Sequence, residues 1–396
     1  MTLRQVDPVS TSVVLHRGKD KAIRNHHHWI YSGAVKFLPE FEAGSILPVR
    51  SADGDLLGHA YFNTHGSIAG RMLSFGADPP LVALEKNIAE ALALRRSFFD
   101  AGTNAYRLIN GEGDRVPGLI VDSYEDVLVI QISTLGMEML KPVVIEILVK
   151  SARPRSVYEK SNSPSRREEK LPPKEGLIWG EPIQTVYITE SGFRFEVDIV
   201  QSQKTGFYLD QREMRKLVRF LSPGRKVLNA FAYSGGFSVF ALAGDALSVD
   251  SVDSSERAIE LARNNCLLNG FGGDRVRFFA ADVFEFIRSQ RLDYDLVILD
   301  PPAFAKRKSE VVRACRAYKD MHRVVFKKIP PGSFVVTFSC SYFVNEPLFR
   351  QVIFQAAAEA SRDVRVLQRH HQAFDHPLNV FHPEGDYLKG FLLYVT

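Results

Sequence analysis

RKVLNAFAYSGGFSVFALAG, residues 225–244, decides how the C-terminal half of this chain is read. It reads as a strand, a turn of small residues (Ser234, Gly235, Gly236) and a helix. Glycines at such a turn let a ligand approach the backbone, and the turn lies at the carboxyl end of a strand, where open α/β sheets bind ligands. A plain strand–helix turn has the same look, so the neighbouring stretches must decide.

The next strand, ALSVDSVDSSE, delivers Asp253 18 residues beyond Gly235. That is close to the offset of about 20 at which an acid grips ribose hydroxyls. Asp253 could instead cap the helix SSERAIELARNNCLLNG, but Ser254 and Ser255 can do that unaided, which favours the ribose role. VRFFAAD then ends in Asp282, a carboxylate able to accept from an adenine amino group or to cap VFEFIRSQ. Strands and helices alternate through this half, as in a parallel sheet with crossover helices. The dinucleotide pattern G-x-G-x-x-G is missing, as are the helix-opening glycines that cradle a pyrophosphate. The expected ligand is a nucleoside without a phosphate chain, such as S-adenosylmethionine.

FVVTFSCSY, residues 334–342, turns from a buried strand to polar residues within one position and places Cys340 at the lip. A structural cysteine sits among apolar neighbours, whereas a reactive one needs access and a partner. Cys266 and Cys315, on helices, read as packing residues. Three cysteines without metal-ligand spacing suit a reducing cytosol. At 396 residues more than one core is expected, and no apolar run is long enough to span a membrane. MTLRQVDPVSTS lacks a basic-then-apolar leader, so a cytoplasmic protein is expected. The formal charge of +4 hints only weakly at a polyanionic partner.

Toward the N-terminus the pattern changes. SILPVRSADGDLLGHAYFN reads as two strands joined at Asp53-Gly54. LVALEKNIAEALALRRSFF is a helix, followed by strands with Gly-rich turns and a helical stretch near residues 138–150. EKSNSPSRREEKLPPKEG is expected to be a flexible loop; the basic residues of KSARPRSVYEKSNSPSRREEK could track phosphates, while the glutamates among them fit a solvated loop equally well. The domains expected are 1–78, a small β-barrel or sandwich; 79–190, α/β; and 191–396, carrying the parallel sheet. Six of the eleven histidines fall in the first, three of them in NHHHW. Consecutive histidines point apart and cannot converge on one ion, so no metal is expected there. His376 and His382, near the C-terminus, could line the site or be structural.

VLNAFAYSGGFS, VDSSERAIELARNN, DLVILDPPAFAK and TFSCS, in that order, resemble motifs of class I S-adenosylmethionine-dependent methyltransferases. They are similar in particular to a family of large-subunit ribosomal RNA cytosine-C5 methyltransferases. QKTGFYLDQR (Gln203–Arg212) and RLINGEGDRVPGLIVD resemble further stretches of that family, and HHHWIYSGAV the opening of a PUA-type RNA-binding domain. The resemblance implies an α/β fold: a Rossmann-like methyltransferase domain with a mainly parallel sheet, a PUA-like β-barrel and a middle α/β domain. It implies S-adenosylmethionine held by Gln211, Arg212, Phe231, Tyr233, Ser234, Gly235, Asp253, Ser254, Asp282 and Asp300. Asn229 stands where many methyltransferases carry an acid. Large-subunit ribosomal RNA would be the partner, and a homodimer is left open.

Carbon 5 of cytosine is a poor nucleophile until a thiolate adds to C6. The resemblance gives that role to Cys340, with Asp300 as the second catalytic group and two prolines stiffening its loop. Ala303 occupies the place where many RNA cytosine-C5 enzymes carry a second cysteine, so the base that takes the C5 proton is not assigned. Gln211 and Arg212 could meet the amino-acid end of the cofactor, or Asp210 and Arg212 could begin a helix; Lys204 and Tyr208 could face RNA. Two other readings stand beside this one. DPPAF resembles the loop of enzymes that methylate exocyclic amino groups, which need no thiol. A noncatalytic RNA-binding assembly factor with a vestigial pocket is the other.

Overall fold

The computed structural model describes residues 11–183, 185–201 and 205–396. Gln203 and Lys204 lie outside them. The chain forms two compact units. The first takes the described residues up to Ile188 together with those of Val197–Phe207 and Asp375–Gly385; the second takes Thr189–Glu196, Tyr208–Phe374 and Asp386–Thr396.

The first unit contains two sheets. One is six-stranded, in the order Trp29–Tyr31, Ile68–Phe75, Leu56–Phe62, Ile46–Arg50, Val13–Leu15, Val35–Phe37, with only the Ile46–Arg50 and Val13–Leu15 pair parallel. Its hairpin turns through Asp53 and Gly54, and Gly54 supplies the left-handed backbone with φ +95°. Val13, Ile30, Val49, Phe62 and Met72 fill its core. The other sheet is five-stranded, in the order Lys174–Gly180, Ser156–Ser161, Val127–Ile132, Leu119–Tyr124, Ala105–Asn110. Helices Pro80–Arg96 and Lys141–Ala152 bury Leu84, Ile88, Val144 and Leu148 in one cluster with its strand residues Val121, Ile130 and Val157.

The stretch expected to be a loop, 159–176, is largely regular structure: it carries the end of one strand, helix Pro164–Glu168 and the start of another strand. The reason is ion pairing inside the unit. Arg166 is 1% exposed and donates to the Ile132 carbonyl (2.8 Å), Glu138 (2.9 Å) and the Pro172 carbonyl (2.9 Å). Glu169 accepts from Asn63 and Arg71, each at 2.6 Å, and buried Lys160 donates to the Ile199 carbonyl at 2.8 Å. Arg166 and Lys160 are thereby kept from tracking phosphates at the surface. Buried charge survives only with such partners.

The second unit is built on a seven-stranded sheet. Its strands are β1 (Lys226–Ala230), β2 (Ser248–Asp253), β3 (Val276–Ala280), β4 (Leu296–Leu299), β5 (Ser333–Ser339), β6 (Val364–His370) and β7 (Lys389–Val395). Their spatial order is β3-β2-β1-β4-β5-β7-β6. The first five are parallel, while β7 runs antiparallel to both β5 and β6. Of the parallel strands, β4 (LVIL) and β5 (SFVVTFS) are nearly continuous apolar runs, as strands covered on both faces tend to be, whereas β2 (SVDSVD) is mostly polar. Leu228, Val252, Val297, Val335 and Leu393 share a core with helix residues Phe286, Met321, Phe326 and Phe349.

His322, on helix Val311–Lys328, is wholly buried in this core. Its Nδ1 lies 2.7 Å from the Tyr318 carbonyl and its Nε2 2.8 Å from the Thr337 hydroxyl of β5. Burial pushes its pKa down to about 4, against an opposing effect of the Tyr318 carbonyl. The unfolded chain therefore binds the proton more readily. Stability is fully present above pH ~6.5 and is lost as pH falls toward 4, by about 1.4 kcal/mol per pH unit from this residue. Urea unfolding followed by circular dichroism should show a shallower loss between about pH 6.5 and about pH 5 in His322→Gln than in the parent. Equal slopes would remove His322 from the acid response.

Candidate active site

The parallel strands β1, β2, β4 and β5 present their carboxyl ends at one edge, and most of the expected site residues fall there. After β1 the chain makes a turn in which Phe231 (φ +63°), Tyr233 (φ +45°) and Gly235 (φ +74°) are all left-handed. Two non-glycine residues in that region mark a turn held in place by its surroundings. The holding groups are visible. The Tyr233 N–H donates to Asp253 at 3.0 Å, the Ala232 N–H to the Val252 carbonyl at 3.0 Å, and the Asn265 amide to the Ser234 carbonyl at 2.9 Å. A Cβ on Gly235 would lie 2.9 Å from the Ala262 backbone, so this glycine makes room for helix Glu256–Leu268, which follows β2.

Asp253 ends β2 and spans two loops, accepting from the Tyr233 N–H and, at 3.0 Å, from the Ser255 N–H. The helix cap itself is Ser255, which accepts from the Ala258 N–H; Ser254 is exposed beside it. Two of the roughly four lone-pair positions of the Asp253 carboxylate are used by these bonds. Asp282, past the end of β3, is exposed and caps helix Val283–Ser289 through the Glu285 N–H at 2.9 Å. Asn229 is buried in β1 and donates to Ser238 at 2.8 Å.

Asp300 follows β4 and accepts from the Gln211 amide at 3.1 Å. Gln211 is buried in the short turn Leu209–Gln211, and its Oε1 has no hydrogen-bond donor among the described residues. Arg212 opens helix Arg212–Leu221 and is 1% exposed, 3.7 Å from Glu190, a carboxylate that Arg215 grips with two bonds of 2.6 and 2.8 Å. Tyr208 sits edge-on to Tyr233, with ring centroids 5.2 Å apart. Burial raises the pKa of its hydroxyl, and the negative charges of Asp300 and Cys340 raise it further. Tyr208 thus belongs to the same group as Asp300, Cys340 and Asp253.

Cys340 lies one residue beyond β5 and is partly exposed, its Sγ 4.0 Å from the Pro301 carbonyl of the loop that follows Asp300. Ser341 ties that loop down: its hydroxyl accepts from the Ala305 N–H at 3.2 Å and meets the Tyr318 hydroxyl at 3.2 Å. Lys389, the first residue of β7, is buried and donates to the Ser341 and Tyr387 carbonyls, each at 2.8 Å. Burial lowers its pKa, and the negative charge of Cys340 works against that shift. Sequence reasoning missed Lys389, which carries no local motif. Phe231, Phe284 and Phe304 form an aromatic row at this edge, with centroids 6.3 and 6.0 Å apart. Cys266 and Cys315 are elsewhere: Cys266 is fully buried, its thiol pushed up to about 12, and Cys315 packs on the core margin.

His376 and His382 both lie in Asp375–Gly385, which groups with the first unit. His376 is buried, with Nδ1 2.9 Å from Asp375, and His382 is buried against Trp29.

S-adenosylmethionine has donors for these acceptors: a ribose diol suits Asp253, and an ammonium group suits the donorless Gln211 Oε1. The profile of the S-adenosylmethionine-dependent methyltransferases matches residues 170–376, and that of the PUA-like domain matches residues 13–75. A protein of Vibrio cholerae serotype O1 named Ribosomal RNA large subunit methyltransferase I is 38% identical over 392 residues, covering 97% of this chain and 99% of the relative. Its namesake in Alteromonas mediterranea is 37% identical, covering 98% and 100%. Among solved structures, SMU.776, described as a candidate methyltransferase complexed with SAH, superimposes with a TM-score of 0.83 at 22% identity, covering 96% of this chain and 99% of that one. At that identity the likeness speaks for the fold. Among the described residues no helix is long and apolar enough to cross a membrane. The chain belongs to the family of S-adenosylmethionine-dependent methyltransferases represented by the ribosomal RNA large subunit methyltransferases I.

Proposed function

We propose that the protein forms 5-methylcytosine in large-subunit ribosomal RNA, in the cytoplasm, with Cys340 as the covalent nucleophile. The observation that carries this reading is the position of Cys340. It is partly exposed at the carboxyl edge of the sheet, against the loop that begins at Asp300, and shares that edge with Asp253 and Gln211. An enzyme methylating an exocyclic amino group has no use for a thiol there.

When bound, S-adenosylmethionine supplies an electrophilic methyl group on a sulfonium. Asp253 would hold the ribose hydroxyls, Asp282 the adenine amino group, and Gln211, Asp300 and Arg212 the amino-acid end. Phe231, Tyr233, Ser234, Gly235 and Ser254 shape the remaining wall. Cys340 Sγ, as thiolate, forms a bond to C6 of the cytosine, and the C5–C6 double-bond electrons become available at C5 for the new C–C bond, for which the sulfonium would give up its S–CH3 bond and depart as a neutral thioether. Loss of the C5 proton to a base then restores the double bond and breaks the S–C6 bond. Lys389 is near enough to Cys340 for their charges to interact, and a cation there would favour the thiolate. Residues 1–78 and 79–190 hold the RNA, and 191–396 do the chemistry. The PUA-like match at residues 13–75 and the methyltransferase match at residues 170–376 support that division.

Mass mapping of modified nucleosides in large-subunit RNA, from cells with and without the protein, tests the reading. One 5-methylcytosine should vanish with the gene. Loss of an N-methylated purine instead would replace the reading with the amino-group one.

A further inference from the structure

The first unit contains a second cluster of chemically capable side chains that methyl transfer does not use. His27 stands just before strand Trp29–Tyr31, while His382 and Glu384 come from Asp375–Gly385 of the same unit. His27 Nε2 lies 3.3 Å from each oxygen of Glu384, and His382 Nδ1 lies 3.6 Å from the nearer one. The ligand atoms of all three residues lie within 4.8 Å of one another.

Two facts speak against an ordinary hydrogen-bonded cluster. His382 is only 2% exposed, yet its Nδ1 has no hydrogen-bond partner among the described residues. At 3.6 Å from the carboxylate it is too far to form one. A buried polar atom left so costs stability unless something else meets it. The spacing fits a different partner. A tetrahedral ion with bonds of 2.0–2.1 Å sets its ligands about 3.3–3.4 Å apart. The two separations from Glu384, 3.3 and 3.6 Å, lie close to that edge length, while the widest spacing in the cluster, up to 4.8 Å, has to close when the ion binds.

We propose that His27, His382 and Glu384 form a zinc-type divalent metal site that clips Asp375–Gly385 to the edge strand of the six-stranded sheet. Two imidazoles and a carboxylate suit zinc, with one position left for water. Glu384 remains 26% exposed at its side chain, which gives the ion a way in. Coordination through His27 Nε2 requires the proton to sit on Nδ1. The Trp29 carbonyl is 3.3 Å from that atom to accept it, and the Trp29 N–H gives up its own contact with Nδ1 in exchange. The Trp29 indole lies edge-on to His382 with centroids 4.5 Å apart and donates to Glu112 at 2.8 Å, giving the site one apolar wall. The expectation that the NHHHW run cannot gather one ion still applies to the run itself; only His27 takes part, with partners more than 350 positions away.

The full-length protein, stripped with a chelator, should be titrated with zinc chloride and separately with cobalt(II) chloride. Bound metal, the visible cobalt spectrum and the thermal midpoint are the readouts. One equivalent should bind, with tetrahedral cobalt bands and a raised midpoint. Glu384→Gln and His382→Phe should each weaken binding at least tenfold, while His26→Ala, at an exposed ring outside the cluster, should leave it unchanged. Binding lost in His26→Ala but kept in Glu384→Gln would assign the metal to the histidine run and overturn the site. So would the absence of any stoichiometric binding by the parent protein.

Discussion

Cys340→Ser is expected to abolish methyl transfer to RNA, by on the order of 10³-fold or more, as removing a covalent nucleophile does elsewhere. The hydroxyl nearly matches the thiol in shape, and the thiol's contact with the Pro301 carbonyl, at 4.0 Å, is too long for its loss to matter. What it cannot do is ionise near neutral pH, whereas a thiol of pKa ~8.5 is partly thiolate. Cofactor affinity should stay within about twofold of the parent, since Asp253 and Gln211 are untouched. RNA containing 5-fluorocytosine at the target should trap the parent enzyme as a covalent adduct, because fluorine cannot leave as a proton does, and Cys340→Ser should give none. Cys266→Ser and Cys315→Ser serve as controls and should keep most activity, both being packing residues of helices. A Cys340→Ser enzyme working near the parental rate would eliminate the thiol mechanism and favour methylation of an amino group.

Arg95→Met is expected to cost the first unit about 3–5 kcal/mol. Arg95 is fully buried in helix Pro80–Arg96 and holds Asp114 with two bonds of 2.6 and 2.7 Å. It also donates to the Arg107 carbonyl at 2.8 Å and the Asp375 carbonyl at 2.7 Å. Methionine keeps the apolar stem but leaves the Asp114 carboxylate buried without its cation. Both tryptophans, Trp29 and Trp179, lie in the first unit, so fluorescence during urea unfolding reports on it directly. Arg17→Met, which breaks the exposed pair with Asp53, should barely move the midpoint. A loss below about 1 kcal/mol in Arg95→Met would mean that the buried carboxylate finds another partner.

The parallel sheet was legible because strands and helices alternate. Asp300 and Cys340 stand out because each follows a mainly apolar strand, whereas Asp253, in the mostly polar SVDSVD, stands out by its offset from the glycine turn. The Ser255 cap was legible too, since a serine at the helix start can meet the Ala258 N–H without Asp253. The charged stretch at 159–176 misleads for a physical reason. Arg166 and Glu169 are neutralised by Glu138, Arg71 and Asn63, dozens of positions away, and no local window contains those partners. Lys389 escaped notice in the same way: only the pairing of β7 with β5 brings it to Ser341. Left-handed backbone at Phe231 and Tyr233 has no signal in residue type, because bulky residues rarely adopt it.

The grouping of Asp375–Gly385 with the N-terminal unit has a consequence for biosynthesis. A ribosome that has finished Ile188 must add nearly two hundred more residues before Gly385 exists. At about 5–20 residues per second this takes roughly 10–40 s. Throughout that interval the nascent N-terminal unit lacks the Asp375 carbonyl for Arg95, and the carboxylate of Asp375 for the Arg107 N–H. Its completion therefore waits until the whole of Tyr208–Phe374 has been made. A nonsense mutation anywhere before codon 375 would strip the second unit of β7 and leave the first unit unfinished as well, so even a late stop codon damages both ends of the protein.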